Sequence, residues 1–290
     1  VTSGGSARAG IAWMLLATLL FTTMDSLSKY LTQIYPVMEV AWARFTFHTL
    51  FAFALVGPRL PVLLHSGWRS MQIVRSLLLF TATSLMFVSL SRLPLLLVIT
   101  VMTLSPVLVT ALSVPILKEK VGWRRWVSVG VALCGAVLVV GPAGLSLSLL
   151  VLVPILCALV NALYMITTRM LHHHDPAMTT LLYTGMVGTV LGLPVMPFVW
   201  VSPDLAGWLL LAVLGALGAI SHFCMIRAYS AAPASVIAPF VYATLVWAAV
   251  SGATFFGEVP GWTTVAGACI IAGSGLYIFY REQLRAREKG

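Results

Sequence analysis

Ser91-Arg92-Leu93-Pro94 introduces a long apolar run that ends at Lys118-Glu119-Lys120-Val121-Gly122-Trp123-Arg124-Arg125. The same punctuation returns as Ser230-Ala231-Ala232-Pro233, an apolar run, and Gly257-Glu258-Val259-Pro260-Gly261-Trp262-Thr263-Thr264. Ser91 and Ser230, Pro94 and Pro233, Glu119 and Glu258, Gly122 and Gly261, and Trp123 and Trp262 are each 139 positions apart. A constant offset marks an internal duplication. Pro36-Val37-Met38 and Pro176-Ala177-Met178 give a weaker echo, one residue out of register. Lys118, Lys120, Arg124 and Arg125 surround the first Glu-Gly-Trp turn, whereas the second has neither Lys nor Arg.

The solvent for these runs follows from composition. Of 290 residues, 60% are hydrophobic and 9% charged, with a mean hydropathy of +1.01. A water-soluble domain carries about 25% charged residues, so this chain lacks the polar surface to face water all round. A bilayer crossing needs about 20 mostly apolar residues. Ten such spans are read at 10–31, 38–57, 69–90, 94–117, 124–141, 148–169, 177–200, 206–228, 233–256 and 261–281. Pro94 and Pro233 suit the first turn of a helix, where no N–H is required. The first run is too long for a cleavable signal peptide and has no small-residue cleavage site.

Lys and Arg set the orientation. With the N-terminus in the cytoplasm, Arg8, Arg59, Arg69, Lys118, Lys120, Arg124, Arg125, Arg169, Arg227 and the basic tail from Arg281 onward fall on the inner face. Only Lys29 and Arg92 fall at outer ends. The expected fold is therefore all-α, with ten transmembrane helices in two five-helix repeats, 1–141 and 142–290, and both termini cytoplasmic. An odd number of helices per repeat inverts the second half relative to the first, an arrangement typical of secondary transporters with a mid-membrane site.

The Ser-x-x-Pro, inner proline, Glu-x-x-Gly-Trp and Gly-rich helix pattern resembles the repeat signature of the drug/metabolite transporter superfamily, in its ten-helix EamA-type branch. The resemblance covers nearly the whole chain and is most specific in spans 3–5 and 8–10. It implies a metabolite or amino-acid exporter of the inner membrane, close to bacterial exporters of aromatic and other amino acids, without ATP-binding parts. The chain itself contains no Gly-x-x-x-x-Gly-Lys-Ser/Thr phosphate loop.

Ionisable residues in a span are functional candidates. Span 1 carries Asp25 and Lys29, one turn apart; span 2 carries Glu39, Arg44 and His48. The expected arrangement is two structural ion pairs, Asp25–Arg44 and Lys29–Glu39. Arg75 either snorkels to the inner interface or lines an inner vestibule. His48 and His222 have the titration range for proton coupling, with hydrogen-bonded packing as the favoured role. For the solute cavity the sequence offers Asn161 and Tyr164 in span 6, Thr83, Ser84 and Phe87 in span 3, Thr100 and Thr103 in span 4, His222 in span 8, and Tyr242 and Trp247 in span 9. Neutral polar groups beside aromatic rings suit an amphipathic zwitterion. Pro106 and Pro239 are expected to kink spans 4 and 9. Ala268, Ala272 and Gly273 suit close internal packing rather than a dimer face, so a monomer is expected.

Other chemistries find little support. Cys134, Cys157, Cys224 and Cys269 lie in apolar runs without metal-ligand spacing. His172, His173, His174 and Asp175 are adjacent and do not converge as helix-spaced ligands do, so no metal and no cofactor is expected. Glu119 and Glu258 are read as helix-end and turn structure. Intramembrane protease motifs are absent, no large loop domain suggests a receptor, and the positive charge follows membrane orientation rather than nucleic-acid binding. The expected function is export of aromatic and large neutral amino acids by alternating access within the bilayer. The alternative is a multidrug or other small-metabolite transporter of the same fold.

Overall fold

The computed structural model describes residues 4–57, 60–118, 122–146, 149–171, 174–232 and 234–288, and every regular element among them is helical. The first half comprises α1 (Gly4–Leu31), α2 (Val37–Val56), the short α3 (Leu60–Leu63), α4 (Arg69–Arg92), α5 (Leu95–Met102), α6 (Ser105–Leu117) and α7 (Trp123–Ser146). The second comprises α8 (Leu152–Leu171), α9 (Ala177–Gly192), α10 (Met196–Val199), α11 (Leu205–Ala231), α12 (Ala234–Ile237), α13 (Ala243–Phe256) and α14 (Trp262–Glu288). Pro233, Glu119, Lys120, Arg59, His172, His173 and Lys289 lie outside the described residues.

Seven of the helical runs are long and apolar enough to cross a bilayer by length and composition. Helices α7 and α14 contribute the shorter apolar stretches Trp126–Val139 and Trp262–Tyr277. Helix α2 completes ten, its apolar run interrupted by Glu39, Arg44 and His48.

Two of the ten crossings break where the prolines require it. Pro106 has no N–H to offer the carbonyl of Met102, and the fourth crossing divides there into α5 and α6. In the ninth crossing, Pro239 sits in the first turn of a 3₁₀ segment, Ala238–Tyr242, between α12 and α13. A third break went unread in the sequence. Pro194 and Pro197 divide the seventh crossing into α9, a 3₁₀ turn at Leu193–Val195, and α10.

Packing follows the duplication. Helix α1 packs most extensively on α11, and α4 on α8. These are the first helix of one half against the third of the other, in both directions. Helices α2 and α9 pair with each other, as do α7 and α14, each being the other's equivalent. The inverted repeat is thus present in the contacts as well as in the sequence.

The α7–α14 crossing depends on glycine. A Cβ at Gly135 would meet the Gly267 carbonyl and Ile270, and one at Gly267 would meet the Gly135 carbonyl and Val139. Gly273, expected at a close contact, faces open space. Ala268 is buried and Ala272 half-buried.

Candidate solute cavity

A cavity of about 740 Å³ lies between the halves. Its deep end is lined by Asp25 of α1, Arg44 of α2, Phe87 of α4 and Ile99 of α5, all on the outer parts of their helices. Its other end reaches Ser113, Arg169 and Tyr229, in the last turns on the face that the basic residues assign to the cytoplasm. Two of the three broken crossings contribute: Thr103, Ser105 and Pro106 from the fourth, Pro239 and Tyr242 from the ninth. Broken helices meeting at a repeat interface are the usual setting of a transported solute.

The outer end is tied shut. Lys29 Nζ lies 2.7 Å from Glu258 Oε1. The same ammonium donates to the Leu93 carbonyl at 2.6 Å and sits 5.3 Å from the centre of the Phe256 ring. Glu258 Oε2 accepts from the Leu95 N–H at 2.7 Å, one of the orphan donors at the start of α5. The glutamate of the second Glu-Gly-Trp turn thus caps the helix that follows the first Ser-x-x-Pro. Gln33 adds a bond to the Ser91 carbonyl.

This network corrects the expected ion pairs. Lys29 pairs with Glu258 rather than Glu39, because α1 packs beside the α13–α14 turn at that depth. Glu39 is fully buried, and its Oε2 accepts from the Val201 N–H at 2.9 Å. Asp25 and Arg44 are close enough to interact electrostatically but form no ion pair. Arg44 Nη1 donates to Thr83 Oγ1 at 3.1 Å, its Nε has no partner, and the guanidinium lies 4.7 Å from the Phe45 ring centre. Both charges face the cavity, in a role that local sequence spacing concealed.

Of the residues expected to line the cavity, Thr83, Phe87, Thr103, Asn161, Tyr164, His222 and Tyr242 do so. Ser84 and Thr100 instead donate to the carbonyls of Phe80 and Leu96 in their own helices. Trp247 reaches the site indirectly, its Nε1 donating at 3.3 Å to Thr18, which does line the cavity. Tyr242 is held against Gly275, where any Cβ would collide with the tyrosine hydroxyl. His222 packs edge-on against Phe21 and lies 6.2 Å from buried His48, whose Nε2 has no partner. Methionines form a part of the wall that the sequence reading missed: Met24, Met86, Met102, Met165 and Met225. Flexible, polarisable thioethers adapt to varied apolar surfaces.

On the inner face, Asp175 ties the α8–α9 turn to the segment before α4. It accepts from the Ser66 hydroxyl, from the Gly67 N–H at 2.8 Å and from Gln72 Nε2 at 2.8 Å. Burial alone raises its pKa, but these three donors outweigh it and hold the carboxyl below its ordinary value. His174 stacks near Trp68, ring centres 5.2 Å apart.

The model of the EamA-like transporter family matches residues 8–141 and again 148–280. The chain is 30% identical to an S-adenosylmethionine uptake transporter of Rickettsia prowazekii, over 94% of this chain and 93% of that protein. It is 28% identical to a riboflavin transporter of Vibrio cholerae, over 97% and 96%. It is 26% identical to a pseudopaline exporter of Pseudomonas aeruginosa, over 91% and 93%. A crystal structure 18% identical, covering 92% of this chain and 95% of its own, shares the fold with a TM-score of 0.65. With ten helices in lipid, an inverted pair of halves around one cavity, and a family match in each half, this multi-pass inner-membrane protein is a transporter and belongs to the EamA-like transporter family.

Proposed function

We propose that the chain carries solutes bearing an α-amino-acid headgroup, with S-adenosylmethionine the first candidate and free large neutral amino acids the second. The observation behind this reading is the pair of unlike charges, Asp25 and Arg44, unpaired with each other at the blind end of one cavity. A carboxylate fits Arg44 and an ammonium fits Asp25, both of which line the cavity. Phe21, Phe87, Tyr164 and Tyr242 offer faces to a nucleobase or aromatic side chain, and a sulfonium is attracted to such faces as other cations are. The volume of about 740 Å³ falls in the range of about 300–1,000 Å³ usual for sites of drug-sized ligands. The S-adenosylmethionine transporters among the relatives support the first candidate. The resemblance to amino-acid exporters supports the second.

The halves 1–141 and 142–290 act in this reading as the two rocking units. The cavity reaches the inner face while Lys29 and Glu258 close the outer one, which corresponds to an inward-facing state.

Purified protein in liposomes, preloaded with labelled S-adenosylmethionine, tests the reading. Saturable flux is expected, reduced roughly ten- to hundredfold by Asp25→Asn or Arg44→Gln, the loss of one charge-assisted hydrogen bond. Saturable phenylalanine or methionine flux without S-adenosylmethionine flux would select the second candidate. Saturable riboflavin flux, with none of the amino-acid solutes moving, would overturn both.

A further inference from the structure

A smaller cavity of about 380 Å³ lies among α4, α8, α9 and α11, on the inner side of the main one. It shares Leu79, Tyr164, Thr168, His222 and Met225 with the main cavity, so the two meet across a single partition. Arg75 forms its charged wall and is 5% exposed, its guanidinium held among α8 and α9 rather than reaching out to the interface.

The bonds of Arg75 satisfy its geometry but not its charge. Nε donates to Thr168 Oγ1 at 2.8 Å, and Nη1 to Thr184 Oγ1 at 2.6 Å and, at 3.4 Å, to the Thr180 carbonyl. Nη2 donates to Tyr164 Oη at 2.7 Å. All four acceptors are neutral. A guanidinium has five N–H donors, so one on Nη2 remains. Asp175 lines the same cavity, but its carboxylate is taken up by Ser66, Gly67 and Gln72 and forms no ion pair with Arg75. A buried cation in a membrane span without a counter-ion is costly and marks a place where a solute passes. Leu79, Pro176, Leu181, Met225 and Ile226 form the apolar part of the wall, and His222 completes it.

We propose that this smaller cavity is a second station for the solute, binding a carboxylate at Arg75 with an apolar body against α9 and α11. Tyr164, its ring 4.6 Å from the Arg75 guanidinium, divides this station from the site at Asp25 and Arg44. The carboxylate would exchange Arg44 for Arg75 on its way to the inner face. The proposal rests on the transport reading only for the identity of the natural solute.

Equilibrium binding of benzoate tests it without any transport step, so its failure and that of the flux assay are separable. Thermal unfolding of the purified chain in detergent is followed with sodium benzoate and with uncharged benzamide. Benzoate should raise the midpoint saturably and benzamide should not. In the Arg44→Gln background, which removes the guanidinium of the main site, Arg75→Gln should raise the half-saturating benzoate concentration at least about tenfold, the weight of one charge-assisted bond. Ile226→Trp in the same background, which fills the smaller cavity without touching the charge, should abolish the response and serves if Arg75→Gln does not fold. No response in the Arg44→Gln chain, an equal response to benzamide, or an unchanged response on adding Arg75→Gln or Ile226→Trp to it would each overturn the proposal.

Discussion

Lys29 Nζ and Glu258 Oε1 lie 2.7 Å apart and join α1 to the α13–α14 turn of the other half. Each partner also holds a backbone group of fixed polarity: the ammonium a carbonyl, the carboxylate an N–H. The pair therefore reads direction as well as charge. Lys29→Met or Glu258→Gln should destabilise the outer-closed state by about 1–3 kcal/mol, less than for a fully buried pair because the Glu258 side chain is 21% exposed. Reversing both charges should fail to restore stability, because a carboxylate at 29 would face the Leu93 carbonyl. Thermal midpoints of the single and double variants in detergent check this. Full recovery in the reversed double variant would show that only the mutual attraction matters.

Gly275 gives Tyr242 its place. Gly275→Ala drives a methyl group into the tyrosine hydroxyl, a case of overpacking worth about 1–3 kcal/mol. Solute affinity should fall, because Tyr242 lines the cavity. Truncation by Tyr242→Ala in the Gly275→Ala background should return the thermal midpoint to that of Tyr242→Ala alone, without returning affinity. Two independent, additive losses of stability would contradict this account.

Pro106 holds the α5–α6 break open. Pro106→Ala supplies an N–H that the Met102 carbonyl can accept and removes the ring clash, so the helix gains up to about 3 kcal/mol of local stability. The thermal midpoint should stay level or rise while flux falls, because Thr103 and Ser105 leave the cavity wall as the helix straightens. A variant that transports normally would show that the break has no bearing on solute movement.

Asp175 links stability to pH on the inner face. Its folded pKa lies below the ordinary carboxylate value of about 3.9. The unfolded chain therefore binds the proton first as pH falls, and the contribution of Asp175 to stability is fully present above about pH 4. It declines below that and is lost once the folded carboxyl also protonates. Asp175→Asn should lower stability at neutral pH by about 1–3 kcal/mol, leaving donors poorly matched, and should flatten this acid limb. Thermal scans from pH 3 to 7 compare the two chains.

The sequence made the crossings, the inversion and two of the helix breaks legible, because each rests on local signals: apolar length, basic residues at helix ends, and Pro106 and Pro239. The rotational setting of each helix was harder to read. Thr83 faces the cavity and Ser84 does not, Thr103 does and Thr100 does not. One position is a turn of about 100° on a helix, and helices apolar on nearly every side give no polar stripe from which to fix it. The partner of Lys29 was hidden for a different reason. Glu39 lies nearer in sequence and on the adjacent helix, but Glu258 reaches α1 only through packing between the halves. The mistaken pairing also disguised Asp25 and Arg44, which looked spent on each other and instead both face the cavity.

The exchange of partners between the halves, α1 on α11 and α4 on α8, means that one set of coordinates carries the blueprint of a second. Each half threaded onto the backbone of the other would give a conformer with its mouth on the opposite face. Under the proposed alternating access, the transport cycle would be a swap of two unequal shapes between two related sequences.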